Sequence, residues 1–204
     1  MKSIVTGSSG FLGKSLVRDL REDGEKVIRL VRNDSKTDAT SILWDPMKGI
    51  SDTRALENSK VVFHLAGENL ANGRWTASRK KRIRDSRVVG TKTLIDSLIK
   101  LKQPPEVLVC ASAVGIYGDR PGEVVTEDSP AGEDWVSKLG VEWEASALPA
   151  VEAGIRTVLL RIGVVLHPDG GMLKRILFPF RMGVGGKLGQ GTQPMSWVSL
   201  RDVI

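Results

Sequence analysis

Val5-Thr6-Gly7-Ser8-Ser9-Gly10-Phe11-Leu12-Gly13 stands four residues in from the N-terminus, after the short apolar run Ile4-Val5 and at the start of an amphipathic segment. Three glycines at spacings of three, between a strand and a helix, are what a parallel-sheet protein uses to bring a pyrophosphate against bare backbone. In that reading Gly7 makes the tight turn, Gly10 admits the phosphates and Gly13 lets helix pack on strand. The unpaired N–H groups and positive dipole end of the helix then face the anion. A rival motif lies one residue away: Ser8 to Ser15 would read as a triphosphate loop if Ser8 were glycine. Phe11-Leu12 instead read as the start of a packed helix, and the dinucleotide reading is preferred.

Working outward, strand and helix alternate. Strand 2–6 leads to a helix over about 11–23, ended by Gly24, and then to strand 26–31. A looser stretch with Asp45-Pro46 and Lys48-Gly49 precedes a short helix near 52–58 and a buried strand over 60–65. A long helix covers about 76–102 and stops at Pro104-Pro105. Strand 106–110, a Gly/Pro-rich loop, helix 135–147 and strand 155–161 follow. This alternation predicts an α/β fold, a doubly wound parallel sheet with helices on both faces. After Arg161 turn residues and glycines dominate, and Leu200-Arg201-Asp202-Val203 reads as a helix beginning just where the chain ends. The expected organisation is a cofactor-binding domain over 1–165, with 166–204 opening a substrate-binding part whose remainder is missing.

Composition narrows the class. Over 204 residues, 41% hydrophobic and 26% charged residues are an ordinary soluble balance. No apolar run is long enough for a membrane span, no signal peptide is legible, and the single Cys110 excludes an intramolecular disulfide; the default address is the cytoplasm. Much of the net charge of +6 lies between Arg74 and Arg87, in Arg74, Arg79, Lys80, Lys81, Arg82, Arg84 and Arg87 against Asp85. With only Trp75 nearby for stacking, this run reads as a solvated helix face rather than a nucleic-acid surface. His64 and His167 lack metal-ligand spacing, so His64 reads as a core residue and no metal is expected.

Two arginines bear on the cofactor. Strand two ends in Val31-Arg32, about 20 residues past the glycines, where an acid would suit the ribose hydroxyl of NAD and an arginine the 2′-phosphate of NADP. Asp34, two residues on, is a second candidate for a hydroxyl, but Arg32 favours NADP. On the long helix, Arg87 falls on the apolar stripe of Ile83, Gly90, Leu94, Leu98 and Leu101. An inward arginine needs a partner: either a core carboxylate or a bound phosphate or carboxylate.

The motifs together resemble a known family. Thr6-Gly7-Ser8-Ser9-Gly10-Phe11-Leu12-Gly13 is similar to the signature of extended short-chain dehydrogenases/reductases. Leu65-Ala66-Gly67-Glu68-Asn69, Arg74-Trp75, Ser86-Arg87, Ser112-Ala113-Val114-Gly115, Tyr117-Gly118, Trp143-Glu144, Arg161-Ile162-Gly163 and Met195-Ser196-Trp197 resemble its atypical, epimerase-like subgroup. The resemblance implies a Rossmann domain holding NADP, with Thr6, Gly7, Ser9, Gly10, Phe11, Leu12 and Gly13 at the pyrophosphate and Arg32 at the 2′-phosphate. It implies that Leu65, Ala66, Gly67 and Glu68 border adenosine and ribose, that Arg82 and Arg87 lie near the cofactor, and that a C-terminal substrate domain follows.

One departure limits the chemistry. The superfamily moves protons with a tyrosine activated by a lysine four residues on, beside a serine. Here the sole tyrosine is Tyr117 and four residues on stands Pro121; at Ser137-Lys138, Asp134 holds the tyrosine's place. Ser112 and Tyr117 are the remaining catalytic candidates, with Ser112 one residue farther from Tyr117 than the usual pattern. The expected function is an NADP-dependent oxidoreductase or epimerase on an unknown small molecule; the alternative is a non-catalytic NADP-binding regulatory or interaction protein. The sequence leaves its oligomeric state open.

Overall fold

A computed structural model describes residues 1–32, 38–187 and 189–204. Its elements run β1 (Lys2–Thr6), α1 (Phe11–Glu22), β2 (Lys26–Val31), β3 (Ser41–Asp45), β4 (Gly49–Ile50), β5 (Val61–His64), α2 (Ala77–Leu98), β6 (Val107–Ala113), α3 (Trp135–Ala145), α4 (Leu148–Glu152), β7 (Arg156–Ile162), β8 (Val164–His167), α5 (Gly171–Arg181), β9 (Trp197–Ser199) and α6 (Leu200–Val203). The chain forms two compact units, residues 1–112 with 141–160, and residues 113–140 with 161–204.

The main sheet has strand order β4-β3-β2-β1-β5-β6-β7. β1 pairs in parallel with β2 and with β5, β2 with β3, and β5 with β6; the short β4 runs antiparallel to β3. This is a Rossmann-like α/β fold. Ile4, Val62 and Leu108 from adjacent strands form its core with Leu94, Ile95 and Leu98 of α2. Those helix positions follow the stripe read from the sequence, because residues three and four apart share a face.

The stretch 41–50, expected to be loose, is instead β3 and β4, with Trp44 buried at 1% exposure. Burial of that ring outweighs the turn signals around it. The short helix near 52–58 is a 3-10 turn over Arg54–Leu56. α2 stops at Leu98 rather than 102, since the Glu57 carboxylate accepts the next free amides, Lys102 N at 3.0 Å and Gln103 N at 2.8 Å.

In the second unit, β8 and β9 pair in parallel. α5 was not expected from the sequence, where the Gly170-Gly171 start and the internal Pro179 are signals against a helix. The helix start at Leu200 is present, capped by Ser199 Oγ, which accepts Asp202 N at 3.2 Å. Among the described residues, no helix is long and apolar enough to cross a membrane.

Candidate functional site

The glycine turn joins β1 to α1 at the carboxyl edge of the sheet. Gly7 adopts φ +69°, and a Cβ there would stand 2.8 Å from the Leu65 carbonyl. A Cβ on Gly13 would come within 2.2 Å of the Gly7 oxygen, so the first turn of α1 closes directly on the loop. Gly10 N donates to Gly7 O at 2.8 Å, and Gly10 caps α1 without a side-chain partner. No acid occupies the first turn of α1, which leaves its N-terminal amides and dipole facing outward.

Beside this turn lies a cleft of about 480 Å³. Gly7, Ser8, Ser9 and Gly10 form one wall, Leu30, Val31 and Arg32 the end of β2, and Leu65, Ala66, Gly67 and Glu68 the loop after β5. Trp44, Pro46 and Ser86 complete it. An adjoining hollow of about 590 Å³ shares Arg32, Trp44, Pro46, Glu68 and Ser86 and adds Arg82, whose Nη1 donates to Ser78 Oγ at 3.2 Å. Phe11 and Leu12 begin α1 immediately after the turn. Asp34 lies outside the described residues.

Thr6 works behind the cleft. Its fully buried Oγ1 accepts Leu65 N and Ala66 N, each at 3.1 Å, and meets His64 Nδ1 at 2.8 Å. With two donors already aimed at this oxygen, the hydroxyl proton goes to Nδ1. His64 then carries its own proton on Nε2 and donates it to Thr91 Oγ1 at 3.0 Å. Thr91 Oγ1 also accepts Trp143 Nε1 at 3.1 Å. This chain of bonds ties the loop after β5 to α2 and α3. It needs neutral imidazole, and burial pulls the His64 pKa from 6.5 to about 4.

Arg87 is turned inward as its place on the stripe requires. Among the described residues its partners are backbone carbonyls and an aromatic ring: Nη1 donates to Glu68 O at 3.0 Å and Ile83 O at 3.3 Å, and the guanidinium lies 5.0 Å from the Trp143 ring centre. Gly67 sits against it, where a Cβ would stand 3.2 Å from Cζ. Burial lowers the Arg87 pKa to about 10, partly offset by the Glu68 carboxylate. The basic run on α2 is therefore not one solvated face: Arg79 and Arg87 are buried, while Lys81 pairs with Asp85 and Arg84 with Glu142.

Ser112, near the end of β6, is 4% exposed, and its Oγ donates to Glu144 Oε1 of α3 at 2.6 Å. It shares a strand face with Cys110, whose thiol burial, with the Glu144 charge, pushes up to about 12. In the second unit Tyr117 Oη accepts Arg161 Nη1 at 2.8 Å, with the guanidinium 5.2 Å from the ring centre; the same Nη1 donates to Glu127 O at 2.8 Å. Asp134, at the tyrosine's usual place, accepts Val136 N at 2.7 Å and Ser137 N at 2.9 Å at the start of α3. Those amide bonds hold its carboxyl below the usual range. Glu144 and Arg161 were named in motifs, yet nothing in the spacing paired them with Ser112 and Tyr117. Trp44 and Pro46 gave no signal, since their stretch read as loose.

Across residues 3–204 the chain matches the profile of the NAD dependent epimerase/dehydratase family. It belongs to that family. An epimerase family protein of Mycobacterium bovis is 40% identical over 200 residues, covering 98% of this chain and 65% of that relative. The crystal structure of human epimerase family protein SDR39U1 with NADPH superposes with a TM-score of 0.87 at 33% identity, covering 100% of this chain and 67% of the human one. A nucleoside-diphosphate sugar epimerase from Corynebacterium glutamicum gives 0.85 at 36% identity, covering 100% of this chain and 42% of that one. The chain thus spans just under two thirds of the mycobacterial relative's length.

Proposed function

We propose that this member of the epimerase family binds NADP(H) in the cleft between the glycine turn and the loop after β5, and acts as an oxidoreductase or epimerase on a small molecule. The carrying observation is the cradle itself: Gly7 and Gly13 leave no room for a Cβ, and Arg32 stands at the far wall. A pyrophosphate suits the bare turn and the N-terminus of α1, and a 2′-phosphate suits Arg32 with Arg82 in the adjoining hollow. The NADPH in the human relative supports the same assignment. Residues 1–165 would hold the cofactor and 166–204 open the substrate part. Calorimetric titration is expected to give NADPH at least tenfold tighter than NADH. Equal millimolar binding of both would overturn the assignment.

When bound, the nicotinamide supplies hydride transfer. Toward that chemistry, Ser112 would hold the reacting oxygen and Tyr117, or a water, would supply the proton, with the Arg161 guanidinium on the phenol oxygen. A second reading, a non-catalytic NADP-binding protein, is favoured by Asp134, which spends its carboxylate capping α3 where the family's tyrosine would stand. A panel of carbonyl compounds and sugar nucleotides separates the two. Turnover lost in Ser112→Ala and Tyr117→Phe supports the enzyme, and tight NADPH with no consumption supports the second reading.

A further inference from the structure

The loop after β5 is tied down at both of its ends, and both ties lead to one side chain, Trp143 of α3. At the near end, Thr6 Oγ1 accepts Leu65 N and Ala66 N, each at 3.1 Å, and gives its own proton to His64 Nδ1 at 2.8 Å. His64 Nε2 donates to Thr91 Oγ1 at 3.0 Å, and the same oxygen accepts Trp143 Nε1 at 3.1 Å. At the far end, Glu68 O accepts Arg87 Nη1 at 3.0 Å, and the Arg87 guanidinium lies 5.0 Å from the centre of the Trp143 ring. Glu68 N makes a further tie, to Ser86 Oγ at 2.9 Å, which binds the loop to α2 alone.

Arg87 and Thr91 stand four residues apart on α2 and therefore share a face, so a single indole can span them. Its ring meets the cation and its one N–H meets the hydroxyl. Every side chain that closes this circuit is buried: Thr6, His64 and Thr91 fully, Trp143 at 7% exposure and Arg87 at 9%. Such a chain has little slack, because a buried donor that leaves its acceptor stays unpaired at a cost of about 1–3 kcal/mol. Leu65, Ala66, Gly67 and Glu68 line the cleft, whereas Trp143 lies one layer behind it. A displacement of the loop is therefore felt at the indole from two directions at once.

We infer that Trp143 is a positioning residue for the nucleotide: it sets the loop after β5 in the form that receives the cofactor, and loading of the cleft shifts its indole. The inference rests on the cleft being the NADP(H) site. A tryptophan that served the core alone would stabilise the fold without registering whether the cleft is filled.

The test follows NADPH binding to the full chain by calorimetry and through the indole N–H resonances of its five tryptophans. Trp143→Phe assigns the Trp143 signal; it keeps a ring for Arg87 and removes the N–H, while Trp143→Leu removes both contacts. The Trp143 resonance should shift as NADPH saturates the wild-type protein. Affinity for NADPH should fall about threefold in Trp143→Phe and about tenfold or more in Trp143→Leu. An unmoved resonance under saturating NADPH, or unchanged affinity in a folded Trp143→Phe, overturns the inference and leaves Trp143 as core packing. If neither variant folds, the wild-type spectrum decides alone: the signal still missing a match among the tryptophans is then assigned through its contact with Thr91. NADPH that gives no heat with the wild-type protein overturns the cofactor reading, and this inference with it.

Discussion

His64 makes the folded protein sensitive to mild acid. The side chain is fully buried, its two ring nitrogens are spoken for by Thr6 and Thr91, and its pKa falls from 6.5 to about 4. Between those values the native imidazole stays neutral while the unfolded chain takes up a proton, so unfolding is favoured as the pH falls. Stability is whole above pH 6.5 and is lost progressively toward pH 4. At about 1.36 kcal/mol per pH unit the loss reaches about 3 kcal/mol, a large part of the roughly 5–15 kcal/mol that holds a domain together. Urea unfolding midpoints at pH 7, 5.5 and 4.5 measure it, with His64→Gln as the reference, because an amide can bridge the two threonines without titrating. The wild type should lose about 2.4 kcal/mol more than His64→Gln across that span, most of the roughly 3 kcal/mol that would be reached at pH 4. Parallel losses in the two proteins would refute the reasoning, since carboxylates common to both would then account for the whole effect.

Other substitutions probe the turn and the serine. Gly13→Ala places a methyl 2.2 Å from the Gly7 oxygen, so thermal unfolding should show a loss of about 1–3 kcal/mol, with weaker NADPH binding as the turn is pushed open. Ser112→Ala takes away the donor at 2.6 Å from Glu144 Oε1, and chemical denaturation should register a loss of about 1–3 kcal/mol if that carboxylate finds no replacement.

The parallel sheet and the glycine turn were legible because both rest on short-range periodicity. Ile4-Val5 followed by glycines three apart constrains the backbone within one turn, and the stripe on α2 repeats every 3.6 residues. Elements whose reason is distant were not legible. β3 exists because Trp44 is buried against the core, and α2 ends early because Glu57, far away in sequence, accepts the Lys102 and Gln103 amides that a longer helix would need.

The same division runs through the site. The glycine turn is written in the sequence, for Gly7, Gly10 and Gly13 occupy positions that local backbone geometry assigns; that Arg32 lines the same cleft depends on β2 lying beside β1. The inward turn of Arg87 is also written in the sequence. What that arginine meets, and that Arg79 joins it on the next carbonyl, follows from how α2 packs on the loop after β5. Likewise, Ser112 gives its proton to Glu144 and Arg161 reaches the Tyr117 oxygen only through packing. A partner's identity depends on which strands and helices come together, and hydrogen bonds across 32 or 44 residues leave no period in the chain to read.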